Sequence, residues 1–384
     1  MLYNKVSSQK NKNMTFSTKT AAPRVYNSVL DSIGNTPLIK LRQTNGPIKA
    51  TVYGKVEAYN PGHSAKDRVA LYMVEKAEKA GKIKPGATII EATSGNTGFS
   101  LAMVCLLKGY KCVLTVTSKT SDEKLRLLQS MGAEVVICPK DAKPEDPDSY
   151  YSMAKQLHKE IPNSYYLNQN FDLANREAHF HSTGPEIWEQ TQGKITHYVC
   201  CVGTGGTISG TAEYLKSQNP NIQIIGVDAY GSVLKRYWET KEFDKDEIYP
   251  YKVEGLGKTI IPGCVNFDVI DRMIKVHDRD SAKRARALAA KDGLFVGYSS
   301  GAALQAVFKM KRELKEEDLV VVLLPDHGSR YLGKIYDDDW MQDNGFIKEP
   351  KDPSYNSILY RKYKLRYKRI YNKVNYYIAH KLGI

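Results

Sequence analysis

Helix starts are unusual places to put a lysine. In the run Asn60-Pro61-Gly62-His63-Ser64-Ala65-Lys66-Asp67-Arg68, Lys66 comes just before Val69, Ala70, Met73, Val74 and Ala77, which repeat as one apolar helical face. The positive end of a helix dipole lowers the pKa of an amine held there and so favours a nucleophilic lysine. A solvated lysine beside Asp67 and Arg68 is the plain alternative.

Three other segments offer small residues, hydroxyls and free backbone N–H groups where a strand gives way to a helix. They are Thr93-Ser94-Gly95-Asn96-Thr97-Gly98, Gly203-Thr204-Gly205-Gly206-Thr207 and Gly297-Tyr298-Ser299-Ser300-Gly301. Unpaired amides and the helix dipole both favour an anion at such a place. Each loop taken singly is also an ordinary turn, but three in one chain point to a ligand. A dinucleotide fingerprint would need glycine at position 208, which is Ile208, and no Gly-Lys-Ser/Thr follows any of the loops. What is left is a phosphorylated cofactor of another kind, with Lys66 as the amine to meet it.

The segments that must position these loops alternate in character. ATIIEA (87–92), KCVLTV (111–116), AEVVIC (133–138), THYVCCV (196–202), IQIIGVD (222–228) and DLVVVLLP (318–325) are short apolar runs, as expected of strands buried on both faces. Helical patterns lie between them at 98–109, 121–132, 206–217 and 281–292, the second opening on a Ser cap. This repetition predicts an α/β fold of two lobes, each an open, mostly parallel sheet flanked by helices. Ligands on such sheets bind at the carboxyl ends of strands, where the loops above fall. The expected division is 26–59 with 176–350 as the larger lobe and 60–175 as the smaller one.

Composition sets the outer bounds. The 384 residues carry a formal net charge of +14. The charge sits at the two ends, 1–25 and 351–384, and residues 26–350 are nearly neutral, so a nucleic-acid role read from total charge would be a reading of tails. The basic 1–25 segment reads as disordered, without the apolar block of a secretory signal. Six cysteines without a C-x-x-C pair, mostly inside apolar runs, read as core residues of a reducing, cytoplasmic setting. His179, His277 and His327 lack metal-ligand spacing, and no metal is expected.

Together these motifs resemble the fold type II pyridoxal-phosphate (PLP) enzymes, and within them the cysteine synthase and cystathionine β-synthase family. The likeness runs from Ser32-Ile33-Gly34-Asn35-Thr36-Pro37-Leu38 to about Phe346. It implies that Lys66 forms the internal aldimine with PLP and that Asn96 bonds the cofactor's 3′-oxygen. Gly203, Thr204, Gly205, Gly206 and Thr207 would hold the phosphate, and Ser299 would face the pyridine nitrogen. Thr93, Ser94, Gly95, Thr97 and Gln169 would grip the substrate carboxylate, with Gly257 at the same site. The smaller lobe would close over that substrate. The resemblance further implies β-replacement through an aminoacrylate, with Lys66 as general base.

Glu254, in Val253-Glu254-Gly255-Leu256-Gly257, stands where cystathionine β-synthases have Glu and many cysteine synthases have Gln. A carboxyl there suits hydroxide leaving from serine, which needs a proton or a strong hydrogen bond. The expected reaction is therefore L-serine with a thiol, homocysteine giving cystathionine. The alternative is a cysteine synthase using O-acetylserine, or serine, with sulfide. Gly226 to Ser232, Ile161 to Ser164 and Asp339-Trp340-Met341 also look like the cystathionine enzyme. Three departures stand out: His63 for a usual Gly, Asn170 for a usual aromatic, and Lys258-Thr259 for Tyr-Asp.

The partners implied are small amino-acid and thiol substrates and a second copy of the chain, as a homodimer. No specific nucleic acid is expected. Haem is not expected, because the first His is His63 and the first Cys is Cys105, and neither is the S-adenosylmethionine-responsive domain pair. Residues 351–384 carry Tyr360, Tyr363, Tyr367 and Tyr371 at helical spacing among basic residues. That tail could meet a membrane surface, pack on the body or stay solvated. A non-catalytic sensor or binding protein acting through the tail is the alternative of another class.

Overall fold

The computed structural model describes residues 25–348 apart from 43, 45 and 144. The readings made for 1–24 and for the 351–384 tail lie outside the described residues.

Among the described residues ten strands form two sheets. One has the order β1-β2-β10-β7-β8-β9, from Leu38–Lys40 (β1), Thr51–Val56 (β2), His197–Cys201 (β7), Gln223–Ala229 (β8), Arg272–Val276 (β9) and Leu319–Leu324 (β10). Only the edge pair β1–β2 is antiparallel. The other is fully parallel, in the order β5-β4-β3-β6, from Thr88–Ala92 (β3), Lys111–Thr117 (β4), Ala133–Cys138 (β5) and Ser164–Tyr166 (β6). The six apolar runs picked from the sequence are all strands, within a residue or two of the expected ends. Both faces of the longer sheet are dry, since one cluster joins Val52, Val199, Val227 and Val320 to Ala302 and Leu304, and another joins Tyr198, Ile224 and Val321 to Ile208 and Leu215. The helix Lys66–Lys79 puts Val69, Ala70, Met73, Val74 and Ala77 into the core of the shorter sheet, as the sequence spacing requires.

Both sheets reverse direction inside. The longer one runs β7, β8, β9 outward and then returns to place β10 on the other side of β7. The shorter one runs β3, β4, β5 and then returns to place β6 beside β3. Helices and loops on either side of such a reversal diverge and leave a crevice at the strands' carboxyl ends. The four segments that leave these strands are 93–97 after β3, Gln169 shortly after β6, 203–207 after β7 and Pro325-Asp326 after β10.

A buried ion-pair network fastens the two sheets together. Arg68, on the helix of the shorter sheet, bonds Glu57 through Nε at 2.7 Å and Glu186 through Nη1 at 2.6 Å. Lys55, on β2, bonds Glu186 at 2.6 Å and the Thr36 carbonyl at 2.8 Å. Burial alone would raise the Glu57 pKa, yet Arg68 and Lys55 outweigh it and hold the carboxyl at about 2. Next to this joint, the Ala65 N–H donates to the Pro325 carbonyl at 2.9 Å, which seats the start of the Lys66 helix against the end of β10.

Candidate active site

Both crevices open into one cavity of about 390 Å³, and the three loops singled out in the sequence all reach it. Lys66 lies on its wall together with Thr93, Gly95, Asn96, Thr97, Gln169, Gly203, Thr204, Gly205, Thr207, Glu254, Gly257 and Ser299. Two expected members sit elsewhere. Ser94 faces a neighbouring outer cavity of about 690 Å³. Gly206 is a packing glycine, since a Cβ on it would stand 2.1 Å from the Asn175 Oδ1.

Among the described residues no carboxylate pairs with the Lys66 amine. Burial pushes its pKa down, while Cys200, Cys264 and Asp326 pull weakly the other way. Desolvation is thus the main cause, where the sequence suggested the helix dipole. An amine kept from holding its proton, with no partner, is suited to attack a carbonyl carbon.

The glycine loop forms a cradle. Gly205 has φ +89°, and a Cβ there would stand 2.2 Å from Val265 Cγ2. A Cβ on Gly203 would stand 2.9 Å from the Gly255 carbonyl oxygen. The following helix, Gly206–Gln218, begins without any side-chain cap, so its first N–H groups are free for an anion. The hydroxyls of the loop are fixed from the short helix Ala174–Phe180. Asn175 Nδ2 donates to Thr204 Oγ1 at 3.0 Å, and His179 Nε2 meets Thr207 Oγ1 at 3.0 Å. The other ring nitrogen of His179 meets Thr183 Oγ1 at 2.8 Å, and burial, with Lys66 and Arg68, keeps the ring neutral.

On the opposite side, Thr97 donates its hydroxyl hydrogen to Gln169 Oε1 at 2.7 Å, which joins the loop after β3 to the loop after β6. Asn96 Nδ2 donates to Asp326 Oδ2 at 2.8 Å, and Tyr331 donates to the same oxygen at 2.8 Å. Behind the loop, Glu91 is fully buried, accepts the Gln169 N–H at 3.3 Å and has Oε1 without a partner. Burial pushes its carboxyl up to about 8.

Glu254 stands where the two cavities meet. Lys124 reaches it from the shorter-sheet side at 2.8 Å, and Lys334 reaches it from beyond β10. Burial would raise its pKa, but these two ammonium groups hold it below the usual carboxylate range. The sequence suggested a proton or a strong hydrogen bond from this carboxyl. In this arrangement it is ionised, so it accepts hydrogen bonds and does not donate a proton.

His277 stacks on Tyr230 at 4.1 Å and His327 meets Ser329 Oγ at 2.8 Å. Among the described residues no group of three or more His, Cys, Asp or Glu is arranged to hold a metal, and all six cysteines are buried and free. His63 has φ +61°, the left-handed conformation that explains why glycine is usual at its position. Sequence reasoning missed Asn175, His179 and Asp326. Asp326 could have been found, because it directly follows an apolar strand run, whereas Asn175 and His179 lie in a short polar helix with no signal.

A desolvated lysine thus shares one cavity with a glycine cradle and an uncapped helix start, a set of groups that suits a phosphorylated aldehyde. The model of the pyridoxal-phosphate dependent enzyme family matches residues 29–326, and the chain belongs to that family. Within it, the chain falls in the cystathionine β-synthase and cysteine synthase group. It is 43% identical over 327 residues to a cystathionine beta-synthase of Apis mellifera, covering 85% of this chain and 64% of that one. It is 42% identical to the mouse cystathionine beta-synthase, covering 86% and 59%. A Staphylococcus aureus cysteine synthase is 42% identical over 313 residues, covering 81% of this chain and 97% of its own length. A solved hydrogen sulfide-producing enzyme from Fusobacterium nucleatum superposes with a TM-score of 0.74 at 35% identity, covering 80% of this chain and all of that one. The chain thus spans about three fifths of the length of the cystathionine beta-synthases it matches. Among the described residues no helix is long and apolar enough to cross a membrane.

Proposed function

We propose that the chain catalyses a PLP-dependent β-replacement on L-serine, with a thiol as the incoming group and homocysteine giving cystathionine as the leading case. The observation that carries this is the shared cavity, in which Lys66, the glycine cradle and the Thr93–Thr97 loop converge from two sheets. Bound there, PLP would supply an electron sink for charge developing at the amino acid's α-carbon. The cradle fits its phosphate, with Gly203, Gly205 and Thr207 at the anion and Thr204 held by Asn175. Asn96 is aimed by Asp326, and Ser299, at the start of the helix Tyr298–Met310, presents a neutral hydroxyl to the cavity.

The rest is work for the chain's own groups. Thr93, Gly95, Thr97 and Gln169 bind the substrate carboxylate with neutral donors, and Ser94 guards the approach from the outer cavity. Lys66, released from its resting role, moves the α-proton. Glu254 accepts a hydrogen bond from the serine hydroxyl and leaves the proton delivery to another group. Residues 60–175 close as a unit over the site and exclude water. We assign the protein to the cytoplasm, which localisation of the tagged chain in its own cells tests, and as a homodimer, which sedimentation of the purified chain tests.

A cysteine synthase reading rests on the 97% coverage of the Staphylococcus aureus relative. The absorbance spectrum of purified protein separates the two. A change of the visible cofactor band with L-serine alone supports the serine reaction. A change only with O-acetyl-L-serine supports the cysteine synthase, and no visible band after PLP addition overturns both.

A further inference from the structure

The cavity holds a second lysine. Lys258 follows Gly257, lines the same wall as Lys66, and its amine engages no hydrogen bond or ion pair among the described residues. Its backbone is clamped on both sides. The Lys258 N–H donates to Ser232 Oγ at 2.9 Å, the Val233 N–H donates to the Lys258 carbonyl at 3.0 Å, and the Gly257 N–H donates to the Val202 carbonyl at 2.8 Å. Gly257, at φ +76°, cannot carry a side chain, since a Cβ would meet the Tyr251 hydroxyl at 2.6 Å. The side chain of Lys258 is therefore directed by a rigid turn and is not a free surface arm.

The charges around it are unbalanced. Lys66, Glu91 and Cys264 are the titratable groups that act on it. The carboxylate of Glu254 is already shared by Lys124 and Lys334. Glu91, buried and pushed up to about 8, offers little negative charge at neutral pH. The half-buried Lys258 amine, with no partner among the described residues, is open on the cavity side to meet an anionic group during the working cycle.

Two anionic groups of the proposed reaction already have receptors, the phosphate in the glycine cradle and the carboxylate at the Thr93–Gln169 loops. The third is the sulfur nucleophile, which reacts as the thiolate and is mostly protonated at neutral pH. We propose that Lys258 receives the sulfur nucleophile of the second substrate, accepting its proton and holding the thiolate that results. The S–H bond breaks, an N–H bond forms on the Lys258 amine, and the two new charges face each other. Thiolates are soft anions that make weak hydrogen bonds, so a cation serves them better than the neutral donors of the carboxylate loop. Burial, aided by Lys66 and opposed by Glu91 and Cys264, pushes the Lys258 amine down to about 8, close to the ordinary thiol range of about 8.5. Proton transfer between groups so matched is efficient.

This inference rests on the β-replacement reading, and one experiment keeps the two apart. Wild-type holoenzyme, Lys258→Met and Lys258→Gln are each titrated with L-serine by absorbance. Their kcat/KM for homocysteine and for sulfide is then measured from pH 6 to 9. The expected result is a serine titration within about threefold of wild type, with kcat/KM for both sulfur nucleophiles lowered about 100-fold. The wild-type profile should rise through about pH 8, as the amine loses its proton, and in the variants only the rise that follows the thiol's own ionisation, at about 8.5, should remain. An unchanged kcat/KM for the thiols overturns the proposal. So does an equal loss in the serine titration, which would make Lys258 a carboxylate ligand. A wild-type protein whose spectrum ignores both serine and O-acetylserine instead overturns the reaction on which the proposal stands. The Gln variant carries the test if the Met variant fails to hold the cofactor.

Discussion

The two sheet reversals meet in one cavity but are built from different materials. The one in the longer sheet, between β7 and β10, contributes glycines packed to their limit, with Cβ positions blocked by Val265, Asn175 and Gly255. The one in the shorter sheet, between β3 and β6, contributes hydroxyl and amide side chains, Thr97 tied to Gln169, over a buried carboxyl at Glu91 with one unpartnered oxygen. The first is a rigid backbone mould and the second is a set of adjustable donors. A cofactor that stays bound needs the mould, and a substrate that comes and goes needs the donors. Lys66 belongs to neither alone, because its helix packs on the shorter sheet while its start is bonded to the end of β10.

If that division holds, the joint between the halves is the costliest thing to break. Arg68→Ala leaves Glu57 and Glu186 without their main partner in a dry environment. It should lower stability by about 3–5 kcal/mol, measured by denaturant unfolding of the purified protein. A loss under 1 kcal/mol would mean that the halves are held by apolar packing.

A matched pair sharpens the comparison itself. Gly205→Ala forces a side chain into Val265 at a positive φ, and it should weaken cofactor retention, read as PLP lost on dialysis. Thr97→Val removes the donor to Gln169 and should keep the cofactor. It should raise the serine concentration needed for the spectral change by about 10–100-fold, as a lost buried hydrogen bond of about 1–3 kcal/mol requires. If the two variants exchanged effects, the division of labour would be wrong.

Glu91 adds a prediction about pH. Its folded pKa, about 8 against 4.5 for the ordinary group, means that the folded protein binds a proton that the unfolded chain has released. Stability should therefore fall as pH rises from about 4.5 to about 8, and Glu91→Gln should flatten that slope in unfolding experiments at several pH values. An unchanged slope would place the ionisation elsewhere.

Much of this was legible in the sequence because parallel strands buried on both faces read as apolar runs, and the loops that matter follow them. The loops 93–98 and 203–207 were found in that way, whereas Lys66 and Ser299 were found from the helix starts they occupy, and all of these segments reach one cavity. What sequence could not show was set by contacts between distant segments. Nothing near Glu254 reveals that Lys124 and Lys334 keep it ionised, 130 and 80 residues away in the chain. The reversal that brings Gln169 beside Thr97 is likewise a property of strand order. The Ser121 cap was read from residue type alone, and its side chain makes no capping bond to the helix Asp122–Ser130. Lys258 was visible as a departure, but only the fold shows that it shares a cavity with Lys66.

That sharing makes the most direct test a question of which lysine carries the cofactor. Purified holoenzyme is reduced with borohydride, digested, and the peptides are mapped by mass spectrometry. The account predicts the pyridoxyl group on the peptide containing Lys66 and an unmodified Lys258. The label on Lys258, or on neither lysine, would contradict it.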